Sequence, residues 1–266
     1  MPYHPCTLPV AYQNLPSVIA HRGASGHAPE NTLAACQLAV DQGIQWLEVD
    51  VALSADGVPV IFHDDTLERC SNGHGRLIQH TLTELQQLDY GRWYDDRFAG
   101  ESILQLQHLL HFAARHHLGL NLEIKPVSGQ EHPTVWAVAS LLHRLPIAFP
   151  VLLSSFNPLA LEYCQQLMPE YSRAWLTEVL PDDWLRRLEQ YQCAGIHYCA
   201  DFHDSAMVSA IREAGFHVLA YTVNDPLQAA KLLSSGVNAV FSDYPGHLQR
   251  SLSSPEQHLN HTILTH

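Results

Sequence analysis

Two short runs put carboxylates where a folded chain seldom leaves them. In WLEVDV, residues 46–51, side chains alternate between the two faces of a strand, so Leu47, Val49 and Val51 share one face and Glu48 and Asp50 the other. NLEIK, residues 121–125, repeats the pattern, with Leu122 and Ile124 on one face and Asn121, Glu123 and Lys125 on the other. If helices cover the apolar faces, Glu48, Asp50 and Glu123 converge in an interior where they repel one another and lose their hydration. A divalent cation removes that conflict. An all-oxygen donor set suits a hard ion, Mg²⁺ or Ca²⁺ and after them Mn²⁺, better than zinc. Two further apolar runs end in groups of the same kind: SVIAH leads from His21 into Arg22, and VPVIFHD ends on His63 and Asp64.

Those runs belong to a regular alternation. Strands are expected at 17–21, 46–54, 58–64, 119–125, 150–155, 173–178, 195–199, 217–223 and 238–243. Helices are expected at 31–42, 82–89, 104–117, 132–144, 158–167, 182–191, 204–214 and 226–235. Gly43, Gly119, Gly215 and Gly236 stand where helices end and strands begin, the usual place for a C-terminal helix stop. Repeated βα units with short links make a parallel sheet covered by helices, and this many of them point to a closed α/β (β/α)8 TIM barrel rather than an open doubly wound sheet. Active sites of such barrels lie at the C-terminal strand ends, which is where His21 and Arg22 fall. The irregular stretch of about 65–103 reads as a small insertion after the second strand region, within a single domain over 1–266.

Composition narrows the function. The chain has 266 residues, 46% of them apolar, enough for one large core, and no apolar run is long enough to span a membrane. Residues 1–17 lack the basic start and apolar centre of a secretory leader. Six cysteines with no CxxC pair fit reduced thiols in a cytoplasmic protein. A net charge of -13 argues against nucleic acid, so an anionic ligand needs a local source of positive charge. CAGIHYCADFH carries Cys193, His197, Cys199 and His203, but at no zinc-finger spacing, and His197 there is a candidate to face the pocket. His108, His111, His116 and His117 read as a solvated helix face, and Ser154 and Ser155 have no Ser-His-Asp spacing around them.

The runs AHRGASGHAPENT, EVDVALSADGVPVIFHDDTLERCSNGHG, LEIKP, YTVN and GVNAVFSDYP resemble, in order and over nearly the whole chain, the glycerophosphodiester phosphodiesterases. The likeness is greatest to the bacterial cytoplasmic branch that accompanies glycerol-phosphate uptake. The resemblance implies a (β/α)8 barrel that hydrolyses glycerophosphodiesters to sn-glycerol 3-phosphate and an alcohol with one divalent cation. Carried onto matching positions, it makes Glu48, Asp50 and Glu123 the metal ligands and His21 and His63 the acid–base pair. It makes Arg22 and Lys125 phosphate-binding and Tyr221 an aromatic wall, and it has Glu30 orient one of these groups unless it merely caps a helix. Tyr221 stands where Trp is common, Cys70 where Thr is common, and Ser242 where Thr is common.

The family suggests an attack by the substrate's own glycerol hydroxyl through a cyclic phosphate, with direct attack by water as the alternative. His21, next to Arg22, is expected to be the base, and His63, next to Asp64, the acid, since a neighbouring cation disfavours an imidazolium and a carboxylate favours it. The implied partners are small glycerophosphodiesters, with neither nucleic acid nor stable membrane association; a homo-oligomer is compatible with the sequence. A lysophospholipase D-like enzyme on the same barrel would want an apolar channel or an interfacial helix. A non-catalytic phosphodiester-binding protein would be expected to have lost a histidine or a carboxylate, and this chain keeps all five.

Overall fold

The structure, a computed structural model, describes residues 10–13 and 15–253; the expectation about a leader in residues 1–17 falls partly outside them. The strands among these residues are β1 (Val18–His21), β2 (Trp46–Leu53), β3 (Pro59–Ile61), β4 (Leu104–Gln105), β5 (Gly119–Ile124), β6 (Val151–Ser155), β7 (Ser172–Thr177), β8 (Gly195–Cys199), β9 (His217–Tyr221) and β10 (Ala239–Ser242). The helices are α1 (Leu33–Asp41), α2 (Leu82–Leu85), α3 (Leu106–His116), α4 (Glu131–Arg144), α5 (Pro158–Leu167), α6 (Trp184–Gln190), α7 (Ser205–Glu213), α8 (Pro226–Ser234) and α9 (Pro245–Ser253).

β2, β5, β6, β7, β8, β9, β10 and β1 pair in that order, all parallel, and the pairing of β1 with β2 closes them into a (β/α)8 barrel. The expected strand at 58–64 is not one of the eight. β3 runs antiparallel to β2, because the five residues between Leu53 and Pro59 are too few for the crossover a parallel strand requires. β2 meets β1 only at Ala20–Leu47 and His21–Glu48; beyond that β3 takes over its free edge, from Val51–Ile61 to Leu53–Pro59. The residues that follow β3 form the insertion, with a small core of Phe62, Leu67, Cys70, Leu77, Leu85 and Tyr90. β4 then pairs with β3 and returns the chain to α3.

The alternation seen in the sequence sorts the two faces. Leu47, Val49, Val51, Leu120, Leu122 and Ile124 pack outward against Leu109, Val135 and Val138 of the surrounding helices. Inside, Ile19, Trp46, Leu152, Ala174, Leu219, Ala239 and Phe241 fill the N-terminal half, and Tyr12 closes that end by stacking on His217 at 4.0 Å. The floor is thus apolar and the mouth polar.

Helix punctuation follows local chemistry with two exceptions. Thr32, Asn157, Asp204 and Asp225 accept backbone N–H groups as N-caps, and Gly43, Gly215 and Gly236 take the left-handed conformation. Gly119 does not stop a helix, since His117 takes the left-handed position after α3 (φ 54°). Gly119 instead lies opposite Trp46 in the β2–β5 register, where a Cβ would run into the indole. α9 escaped the sequence reading because its Pro245–Gly246 start reads as a turn. Gly119→Ala should cost about 1–3 kcal/mol, as overpacking does. Combined with Trp46→Leu, it should cost less than the sum of the two single changes in urea unfolding. Simple additivity would refute the steric account.

Candidate active site

β2 and β5 carry the three carboxylates to the mouth, with Asp50 directly across from Glu123. One oxygen from each of Glu48, Asp50 and Glu123 lies within 4.8 Å of the others. Glu48 and Asp50 are buried and Glu123 half-buried. Their partners are few. Glu48 Oε2 accepts the Arg22 backbone N–H at 3.0 Å, and Asp50 Oδ2 accepts from Asn31 Nδ2 at 2.8 Å and lies 3.2 Å from Arg22 Nε. Lys125 Nζ reaches Glu123 Oε1 at 3.2 Å and Asp50 Oδ1 at 3.7 Å. Glu48 Oε1 and Asp50 Oδ1 have no hydrogen-bond partner.

The charges are unequally tolerated. Burial, then the charges of Asp50 and Glu123, push the Glu48 carboxyl well above its ordinary range. Burial and Asp50 push Glu123 up to about 7 against the pull of Lys125. Burial would also raise Asp50, but Arg22, Lys125 and His63 outweigh it and hold it low. The cluster is therefore short of positive charge, and its orphaned oxygens are of the kind a hard cation takes. A divalent ion fits this donor set.

Each histidine is held by an aspartate. His21 Nδ1 lies 2.7 Å from Asp243 Oδ1, and its Nε2 lies 4.0 Å from Glu48 Oε2. Asp243 also accepts from Ser25 Oγ at 2.9 Å and Asn224 Nδ2 at 2.8 Å. Burial alone would raise Asp243, yet these donors bring it down to about 2. His63, just beyond β3, sets Nδ1 2.5 Å from Asp64 Oδ1. Burial lowers the His63 imidazole; Asp50 opposes that, while Arg22 and Lys125 add to it.

Asp64 is not His63's alone. Arg69 donates to both Asp64 oxygens, at 2.6 and 2.8 Å, and to both Glu30 oxygens, at 2.7 and 2.8 Å. Glu30 Oε1 in turn accepts from Arg22 Nη1 at 2.8 Å. One chain of charge-assisted hydrogen bonds thus runs from His63 through Asp64, Arg69 and Glu30 to Arg22. Glu30 is no helix cap, since Thr32 caps α1. Arg22 has left-handed backbone (φ 55°), and its side chain turns to Glu30 and Asp50. The partner of His21 is thus the Asp243 carboxylate and not its sequence neighbour Arg22.

The residues meet at a cavity of about 240 Å³. His21, Arg22, Glu48, His63, Glu123 and Lys125 line its polar side; Phe156, Leu176, Tyr221 and Phe241 line the other. Asp50 lies against them in the carboxylate cluster, and Glu30 stands one contact back. Tyr221 donates its hydroxyl to Thr177 O at 2.9 Å and meets Phe156 edge-on. His197 also lines the cavity, whereas Cys193 sits in the core and His203 bonds Tyr198. Asp243, Arg69, Asn31 and Asn224 were not singled out in the sequence; Asp243 stands inside FSDYP, where only Ser242 drew notice, and Arg69 inside TLERC.

Residues 21–247 match the sequence model of the glycerophosphoryl diester phosphodiesterase family. A phosphodiesterase from Oleispira antarctica, whose structure is in complex with the product sn-glycerol 3-phosphate, is 46% identical, with a TM-score of 0.90 over 92% of this chain and 99% of that one. A glycerophosphodiester phosphodiesterase of Bacillus subtilis is 30% identical over 85% of this chain and 83% of its own length. One from Caldanaerobacter subterraneus is 29% identical over 86% and 94%.

The Asp243 network has a pH signature. Its carboxyl titrates near 2 when folded against 3.8 as the ordinary value, so its stabilisation is whole well above pH 4 and is lost as pH falls toward 2. Asp243→Asn should cost on the order of 2 kcal/mol at neutral pH and flatten the acid decline of stability between about pH 4.5 and 2.5. Parallel urea-unfolding curves for both proteins over that range would refute the pairing.

Proposed function

The chain belongs to the glycerophosphoryl diester phosphodiesterase family, and on that premise we propose how its own residues cleave a glycerophosphodiester to sn-glycerol 3-phosphate and an alcohol. One observation carries the proposal. Two histidines, each tied through Nδ1 to an aspartate, border one cavity with a buried carboxylate cluster that has two orphaned oxygens. The Oleispira relative, with sn-glycerol 3-phosphate as its product, supports the substrate class.

Glu48, Asp50 and Glu123 would hold one divalent cation, Mg²⁺ or Ca²⁺, with Mn²⁺ as the alternative. When bound, such an ion supplies positive charge where phosphoryl oxygens gain electron density. Arg22 and Lys125 supply the rest from the protein side. Tyr221 and Phe156 give the carbon skeleton an aromatic wall, and Glu30 with Arg69 fixes the direction of Arg22.

A proton on Nδ1, shared with Asp243, leaves the lone pair of His21 on Nε2. There it takes the proton from the attacking hydroxyl, whether the glycerol's own or water's. As that oxygen bonds to phosphorus, the ester bond on the far side breaks, and His63 Nε2 gives its proton to the departing alkoxide. Where the glycerol's own hydroxyl attacks, the product is a cyclic phosphate that a water then opens to sn-glycerol 3-phosphate. The aspartates support this division. Asp243 meets only neutral donors besides His21, so its charge is available to the imidazolium forming there. Asp64 is already answered by Arg69, so His63 holds its proton less firmly and yields it more readily.

A second reading, a lysophospholipase D-like enzyme, draws on Phe156, Val179 and Phe202, which are exposed on loops just after β6, β7 and β8. No helix among the described residues is long and apolar enough to cross a membrane. The free thiols Cys36, Cys70, Cys164, Cys193 and Cys199 support a reducing, cytoplasmic setting.

Chelation should abolish turnover while leaving the barrel folded, and Mg²⁺, Mn²⁺ or Ca²⁺ should restore it. Because burial and mutual repulsion push the Glu48 and Glu123 carboxyls up in the free cluster, titration with the ion at about pH 6 should release protons, measured as heats that differ between buffers of different ionisation enthalpy. Full activity in excess chelator would reject the metal. Preference for long-chain lysophosphatidylcholine over glycerophosphocholine would favour the second reading.

The histidines separate by leaving group. His63→Ala should lose roughly 10²-fold or more in single-turnover rate on glycerophosphocholine, yet far less on a nitrophenyl ester of glycerol phosphate, whose leaving group needs no acid. His21→Ala should lose as much on both. Equal losses for His63→Ala on the two esters would sink its role as acid.

A further inference from the structure

The floor of the active-site cavity holds two polar side chains that the cleavage steps do not use. His197, in the middle of β8, is fully buried, and neither ring nitrogen has a hydrogen-bond partner among the described residues. Asn121, on β5, is buried as well. Its Nδ2 donates to Ser154 Oγ at 2.9 Å, which leaves Oδ1 as the amide's open acceptor, and that oxygen too is without a partner. Both residues line the same cavity. Buried polar atoms are almost always hydrogen-bonded, so three unanswered ones around one cavity point to a ligand that meets them.

Register sets the pair on strands that face each other around the cavity, among the charged groups. Asn121 pairs with Glu48 and lies two residues beneath Glu123, while His197 lies two residues beneath Cys199, which pairs with Tyr221. Around them the floor is apolar: Leu176 lines it, and the Phe241 ring centre is 5.1 Å from that of His197.

Neither of the two residues carries a formal charge. Asn121 is neutral, and burial pushes the His197 imidazole down to about 3, so it is neutral near pH 7. Neutral groups cannot compete with Arg22 and Lys125 for a phosphate, or with the carboxylates for a cation. They suit a hydroxyl. Asn121 Oδ1 accepts, and a neutral imidazole donates at one nitrogen and accepts at the other. Leu176 and Phe241 suit the C–H groups beside it.

Building on the phosphodiesterase reading, we propose that Asn121 and His197 form a hydroxyl-recognising subsite on the cavity floor. It takes a free hydroxyl of the glyceryl group and sets a preference for polyol phosphates over plain alkyl phosphates.

Calorimetric titration of the full chain in one Mg²⁺ buffer, with sn-glycerol 3-phosphate and with propyl phosphate, reads that preference directly. Wild type should bind the first about tenfold more tightly or better, since a site built for a hydroxyl rejects an analogue without one. The ratio should fall to within about threefold in Asn121→Leu and His197→Phe, and it should be largely kept in His197→Gln, which still donates and accepts. Thermal unfolding checks each variant. Should His197→Phe prove too bulky to fold, His197→Ala takes its place. Equal affinity of wild type for the two phosphates, or an unchanged ratio in Asn121→Leu and the folded His197 variant, would overturn the subsite. Turnover of glycerophosphocholine is followed on the same wild-type sample. Preference without turnover upholds the subsite and sinks the catalytic reading; turnover without preference sinks the subsite alone.

Discussion

Three carboxylates at the mouth of a barrel cannot all stay charged without help, and much of the site is arranged around that constraint. Glu48, Asp50 and Glu123 face two cations, Arg22 and Lys125, so one negative charge stays uncompensated. The imbalance appears as the upward push on the Glu48 and Glu123 carboxyls and as two oxygens without partners among the described residues. Breaking a buried ion pair costs far more than the pair contributes, so such a cluster is a poor stabiliser. Its chemistry lies in its affinity for added positive charge. Cation and anionic phosphodiester would each relieve the repulsion that the other meets.

The barrel separates that difficulty from the rest of the core. Ile19, Trp46, Leu152, Leu219 and Phe241 fill the N-terminal half, so the apolar burial that supports folding lies away from the carboxylates. The close fit of Gly119 beneath Trp46 belongs to the same half. Asn121 and His197 add neutral polar groups to the cavity that the charged ones also line.

Two aspartates set the two histidines in different surroundings. Asp243 and Asp64 both hold an Nδ1, but one meets neutral donors and the other shares its charge with Arg69. Arg69 reaches on to Glu30 and so to Arg22, which ties the insertion beyond β3 to the loop after β1. A phosphate bound at Arg22 and a proton held at His63 therefore share one rigid framework. Such support keeps reacting groups within the narrow tolerance that catalysis needs.

Periodicity alone made the carboxylate cluster legible. A strand presents alternate residues to opposite faces, so an E-x-D and an N-x-E-x-K set in apolar runs had to gather carboxylates on the inner face of any closed sheet. The same local rules marked most helices and the barrel, whereas the antiparallel course of β3 emerged only in the structure. Pairings between distant residues were not legible. Asp243 lies 222 positions from His21, and Arg69 lies 39 from Glu30; no local pattern distinguishes these groups from ordinary surface charges. The same holds for Gly119, whose setting is the Trp46 ring of the neighbouring strand, and for His197, which local pattern leaves open to a zinc or a core reading. Sequence spacing determines which face a side chain takes, because that is a property of one strand. Only the closed barrel decides which faces meet, because closure sets β1 between β10 and β2 and so brings His21 and Asp243 together.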